Sequence, residues 1–229
     1  MATITLDIKS ELPKAILWTD AITKQLPFAV SQAINQTAYD TRIALNEATP
    51  RFFDRPNRFT QTAFLFTKST KRDLEATVYA NDQQGRDRAR YLRFGIAGGA
   101  RPQKGFERKF LAEVVGTRTI PSGAELVPTS LVKLNSSGDV SLSTIKRIQA
   151  GLNTKGNGSF FIGTPKGGNR RPGIYRRSKG QLFPYFLAID HRAQYRPRFP
   201  MEAIGHATIQ RSFGDYLRSN LERAVANAK

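Results

Sequence analysis

The chain has 229 residues, 39% of them hydrophobic and 10% aromatic, which is enough to fill a core and excludes wholesale disorder. Thirty-six Lys and Arg against eighteen Asp and Glu leave a formal charge of +18, so the surplus calls for an anionic partner: nucleic acid, a membrane surface or an acidic protein. The absence of cysteine excludes a disulfide scaffold and thiolate metal ligands, and no stretch reaches the ~18 apolar residues of a spanning helix, so a soluble protein without signal peptide or membrane partner is expected.

Ile4, Leu6 and Ile8 alternate as in an edge strand, and Pro13 to Gln25, with Ile16, Leu17 and Ile22, fits a short helix. Pro27 sits where a first helical residue would, and Phe28, Ile34, Ala38, Ala44, Leu45 and Ala48 recur at helical spacing until Pro50, which predicts a second helix. Its polar side, Ser31, Asn35, Gln36, Asp40 and Asn46, is almost uncharged, which suits a subunit contact as well as an ordinary solvated surface.

From Arg51 to Lys109 the composition shifts towards Arg and Phe. Phe59, Phe64 and Phe66, then Leu74, Ala76 and Val78, then Tyr91, Phe94 and Ile96 read as short strands, punctuated by Asn81, Gly85 and Gly98-Gly99. Leu111 to Val115 and Leu126 to Leu134 add two more. A turn over Asn135 to Asp139 then leads to Ser141 or Ser143, either of which can cap a helix carrying Ile145, Ile148 and Leu152, with Gly151 near its end. This strand, turn and helix module occupies about 126–152.

Residues 153–180 form basic Gly/Pro-rich loops interrupted by the apolar runs Phe160-Phe161-Ile162 and Ile174-Tyr175. A hairpin follows, with Gly173 to Arg177 running in, Ser178-Lys179-Gly180 turning, and Leu182 to Ile189 running out; Pro184 argues for an edge position. After Pro197 and Pro200, Ile209, Phe213, Leu217, Leu221, Ala224 and Val225 follow helical spacing almost to the terminus. The expectation is therefore a single α+β domain over 1–229, with an antiparallel or mixed β-sheet flanked by an N-terminal helix pair and a long C-terminal helix.

Catalytic chemistry is not legible. His191 and His206 have no triad or metal-ligand spacing, the carboxylates are scattered, and the Gly158 to Gly163-Thr164 spacing lacks the lysine a phosphate loop needs. No catalytic, cofactor-binding or metal-binding residue is assigned, no cofactor is expected, and the chain reads as not an enzyme.

The basic clusters carry the signal. Between Lys155 and Arg198 ten Lys or Arg accompany one acid, Asp190, and a second cluster runs from Arg86 to Lys109. Arg86, Arg88, Arg90, Arg101, Lys104, Lys166, Arg170, Arg171, Arg176, Arg177 and Lys179 are the candidates to face DNA or a protein partner. Tyr91, Phe94, Tyr175 and Tyr195 lie close by, where they would serve either base stacking on a single strand or the core.

Three stretches together carry a family resemblance: the alanine-rich helix Phe28-Ala-Val-Ser-Gln-Ala-Ile-Asn-Gln-Thr-Ala, the run from Pro172-Gly-Ile-Tyr-Arg-Arg through Leu182-Phe-Pro-Tyr-Phe, and Tyr195-Arg-Pro-Arg-Phe-Pro before the last helix. Their order resembles the tail-completion and minor tail protein Z group of tailed bacteriophages. Arg51 to Thr70 has no counterpart in that pattern. The resemblance implies a structural virion protein of the neck, assembled in the host cytoplasm, that joins the head to the tail as a homo-oligomeric ring. Portal, adaptor or tail-tube proteins would be its neighbours, and non-specific DNA contact is compatible with it. The other expectation is a non-specific nucleic-acid-binding protein that works through its basic loops.

Overall fold

The computed structural model describes residues 20–81, 89–100, 103–112, 124–152, 158–166, 169–190 and 193–227. In chain order the elements are α1 (Asp20–Phe52), α2 (Arg58–Gln61), β1 (Phe64–Phe66), β2 (Val78–Ala80), α3 (Ala89–Ile96), β3 (Gly99–Ala100) and α4 (Gly105–Ala112). There follow β4 (Glu125–Pro128), α5 (Leu142–Leu152), β5 (Phe160–Gly163), β6 (Gly173–Ser178), β7 (Gln181–Ile189), β8 (Gln194–Tyr195) and α6 (Met201–Ala226). The architecture is α+β, with all described strand pairs antiparallel. The chain divides into two compact units, Met1–Gly98 with Arg196–Lys229, and Gly99–Tyr195.

In the first unit α1 packs on α6. Val30, Ile34, Ala38 and Leu45 are fully buried, a spacing of about one helical turn that lays one stripe of α1 against its neighbours. Two polar pairs fix an antiparallel register: Asn220 Nδ2 donates to Gln36 Oε1 at 2.8 Å, and the Tyr216 hydroxyl donates to Asp40 Oδ2 at 2.7 Å. The bond to Asp40, with burial second, holds the Tyr216 hydroxyl above the usual tyrosine pKa. On another side of α1, Ser31 and Asn35 bond to Ser69, and Asn46 exchanges bonds with the Phe64 backbone. All five residues of the almost uncharged polar face bond inside the chain, to α6 or to the segment around β1.

Phe199 closes this core. Only 3% exposed, its ring lies 5.5 Å from Phe52, 5.7 Å from Phe53 and 5.7 Å from Phe64 between centroids, so it joins the end of α1 to β1 just before α6 begins. The Arg198 and Phe199 N–H groups both donate to the Gly95 carbonyl, which ties α3 to the same point. A Cβ at Gly95 would stand 2.4 Å from the Phe53 ring, so the close approach of α3 requires glycine there.

In the second unit the four-stranded sheet has the order β4-β7-β6-β5. Its core face carries Leu126, Phe160, Ile174, Phe186 and Ala188, packed with Phe110 of α4 and Ile148 of α5. Ser141 caps α5 by accepting the Thr144 N–H at 3.2 Å, as the sequence suggested. The β6–β7 hairpin turns on Lys179 and Gly180, both at positive φ (49° and 75°), the twisted type I′ geometry that suits a two-residue connection.

Several expectations need correction. The predicted N-terminal helix pair merges, over its described part, into one helix: α1 runs through Pro27 and Pro50. The bond that Pro27 would donate to the Thr23 carbonyl is lost, and burial of Ala29, Val30, Ala33 and Ile34 just beyond offsets it. Tyr91, Phe94 and Ile96 belong to helix α3, because Leu92, Gly95 and Ile96, spaced by three and four, turn inward. Phe59 lies in α2, Leu74 and Ala76 precede β2, and Leu111 is in α4. Pro184 occupies an inner strand; its register shift against β6 falls between Ile174 and Tyr175, and β4 pairs β7 only from Phe186 onward, so its missing N–H interrupts no ladder on that side. The strand expected at Ile4 to Ile8 and the start of the Pro13 to Gln25 helix lie outside the described residues.

Two stability tests follow. Phe199→Ala should cost about 3–5 kcal/mol in chemical denaturation followed by circular dichroism, as emptying an aromatic site does. Gly214, exposed in the middle of α6 with open space around its Cβ position, should accept alanine with a gain of about 0.5–1 kcal/mol; a loss would show an unseen contact there.

Candidate functional site

The second unit is the more basic. Gly99–Tyr195 contains sixteen Lys and Arg against five Asp and Glu, and from Val140 to Ile189 there are nine Lys or Arg and no carboxylate at all. The carboxylates that do exist are largely committed to structure. Glu107, 1% exposed, accepts the Lys104 N–H and so completes the start of α4. Glu125, 2% exposed, accepts the Ala193 N–H at 3.3 Å. Asp139 approaches Lys104 Nζ at 3.9 Å. The Glu107 and Glu125 side chains are thereby not displayed to solvent.

The cations cluster along β6 and its flanks. Lys166 follows β5, Arg170 and Arg171 lead into β6, Arg176 and Arg177 lie on it, and Lys179 stands at the hairpin tip; all six are exposed. Strand alternation parts the middle pair. Arg176 shares a row with Phe160 and Phe183, and its Nη1 reaches the Tyr185 hydroxyl at 3.4 Å. Arg177 points to the other face, where its guanidinium lies 4.8 Å over the Phe161 ring and its Nη1 reaches the Gly158 carbonyl at 3.4 Å. Phe161 in turn stacks on Tyr175, its partner across the ladder, at 5.4 Å and 17°.

Tyr175 is 3% exposed, and its hydroxyl donates to the Arg171 carbonyl at 2.6 Å, which ties the segment before β6 down onto this face. Burial pushes the Tyr175 hydroxyl above its ordinary pKa, and the positive charge of nearby Arg170 partly reverses that. The aromatic residues next to the cations are therefore packing elements, not free stacking platforms. Among the described residues, Lys166, Arg170, Arg171 and Lys179 have no ion pair.

The other residues singled out from the sequence divide differently. Lys104 is drawn into the contact with Asp139. Arg90 belongs to α3, and Arg86, Arg88 and Arg101 lie outside the described residues, as does His191. His206 is exposed on α6. In the Gly158 to Gly163 segment Phe160–Gly163 forms β5 and Gly158 lies close against the Gly151 carbonyl, so the segment is not a loop around a phosphate. Among the described residues no group of three His, Cys, Asp or Glu could hold a metal ion, and no helix is long and apolar enough to cross a membrane. The sequence reading missed a run of exposed apolar side chains on and after β4: Val127, Leu131, Leu134 and Leu142, the last 75% exposed.

No protein-family model, no curated protein and no solved structure matches this chain.

Removing the Tyr175 hydroxyl tests the tether under the basic row. Tyr175→Phe should cost about 1 kcal/mol and speed hydrogen exchange of the amides just before β6. Unchanged exchange there would show that the tether does not hold the segment.

Proposed function

We propose that this chain is a non-enzymatic structural protein of a tailed-phage virion, acting at the head-to-tail junction and assembling as a homo-oligomer with portal, adaptor or tail-tube neighbours in the host cytoplasm. The order of its sequence patterns supports the reading. The observation that carries it is that the second unit exposes side chains of two opposite characters: cations along β6 with no carboxylate in their segment, and Val127, Leu131, Leu134 and Leu142 on and after β4. A junction subunit needs both, one for an anionic partner and one for protein neighbours.

The polar face of α1 and the strand that holds Pro184 are occupied internally and do not serve as subunit contacts. The outer edges of β4 and β5 have no strand partner in the described sheet and supply the contact instead. A ring requires one patch to meet a different patch on the next copy, and two unlike edges of one sheet satisfy that condition.

Light scattering of the purified chain at low and high salt is the test. A discrete oligomer that survives high salt is expected, since edge pairing and apolar contacts are little screened. A monomer under both conditions, also in the presence of portal or tail-tube proteins, would overturn the proposal.

A further inference from the structure

We propose that the β6 margin of the second unit, with Lys166, Arg170, Arg171 and Lys179, binds the sugar-phosphate backbone of double-stranded DNA without base stacking. This deepens the junction reading by naming the anionic partner. The four cations are exposed and without ion pairs among the described residues, in a fifty-residue segment that has no carboxylate. The extended part of this segment, Gly173 to Ser178, covers roughly 16 Å at about 3.3 Å per strand residue, more than the ~12 Å width of a major groove, so cations flanking its two ends reach phosphates on opposite walls.

The position of Lys179 is a second, independent sign. It holds φ at 49° in the first place of a type I′ turn, where glycine or asparagine is favoured. A side chain in that region costs about 1–2 kcal/mol, and the return is a cation at the most projecting point of the hairpin.

Double-stranded DNA is favoured over the other polyanions by what the surface lacks. Single-strand binding needs exposed aromatic faces, yet Tyr175 is 3% exposed and Phe161 is held between it and the Arg177 guanidinium. Phe183, 36% exposed, belongs to the Phe160 row on the opposite face. An acidic protein would bury an apolar centre within its contact, and here the aromatic rings at the middle of the row are already covered from inside the fold.

The test is fluorescence anisotropy of the full chain with two unrelated duplexes of about 20 base pairs, a single strand of one of them, and polyglutamate. Four phosphate contacts predict a salt slope near −3.6, so affinity for either duplex should fall about 100-fold between about 50 and 200 mM salt. Replacing Arg170, Arg171 and Lys179 together by alanine should reduce that fall to about threefold. The double variant Lys146→Ala with Arg147→Ala, in exposed positions on α5, should keep the wild-type slope. Circular dichroism melting of both variants shows that the unit is folded.

A tenfold preference for the single strand, binding to polyglutamate but not duplex, or an unchanged slope in the triple variant would each overturn the proposal. Failure here with the oligomer intact leaves the junction reading standing. A DNA-binding monomer does the reverse.

Discussion

Sixteen cations and five carboxylates in Gly99–Tyr195 are the constraint against which the second unit folds. Two like charges ~10 Å apart in water repel by about 0.4 kcal/mol before salt screens them, so spacing the cations on an open surface is tolerable where crowding them is not. The fold follows that logic. Alternation along β6 sends Arg176 and Arg177 to opposite faces, and each guanidinium finds a neutral partner, the Tyr185 hydroxyl or the Phe161 ring. Two of the few carboxylates serve the backbone: Glu107 completes the start of α4, and Glu125 holds the segment that leads to β8. The positive charge is left facing outward.

The first unit uses its polar groups in another way. α1 has a narrow apolar stripe of mostly small residues, and its flanks carry amides, hydroxyls and one carboxylate that find partners on α6 and around β1. Each such bond contributes only about 1 kcal/mol net, but leaving a buried partner unmade costs more, so the pairs set register even where they add little stability. Phe199 then supplies the apolar closure at the end of α1.

Local signals were legible in the sequence and distant ones were not. The long last helix, the Ser141 cap and the β6–β7 hairpin rest on contacts within a few residues, and they form where the pattern places them. Tyr91 to Ile96 misled because a short aromatic and apolar run stopped by Gly98-Gly99 looks like a strand, while the close approach that buries Gly95 on the helix depends on Phe53 and Phe199, far away in the chain. Pro27 read as the start of a helix and Pro184 as the mark of an edge strand; each is tolerated inside its element by tertiary packing or a register shift that spacing does not reveal. The same holds for the candidate site. The cations could be counted from the sequence, whereas the burial of Glu107 and Glu125 and the covering of Phe161 appear only once strands are paired. The nearly charge-free face of α1 looked like an interface because its partners, Ser69, Tyr216 and Asn220, stand 34 to 184 residues away.

On the proposed reading the cationic β6 margin meets the anionic partner, while the α1–α6 unit provides structure. Hydrogen–deuterium exchange of the chain with and without duplex DNA tests it most directly, because it reports where the partner lies. Added protection confined to the segment from Lys166 to Gln181, with α1 and α6 unchanged, is the predicted result. Protection centred on α1 or α6, with none along β6, would contradict it.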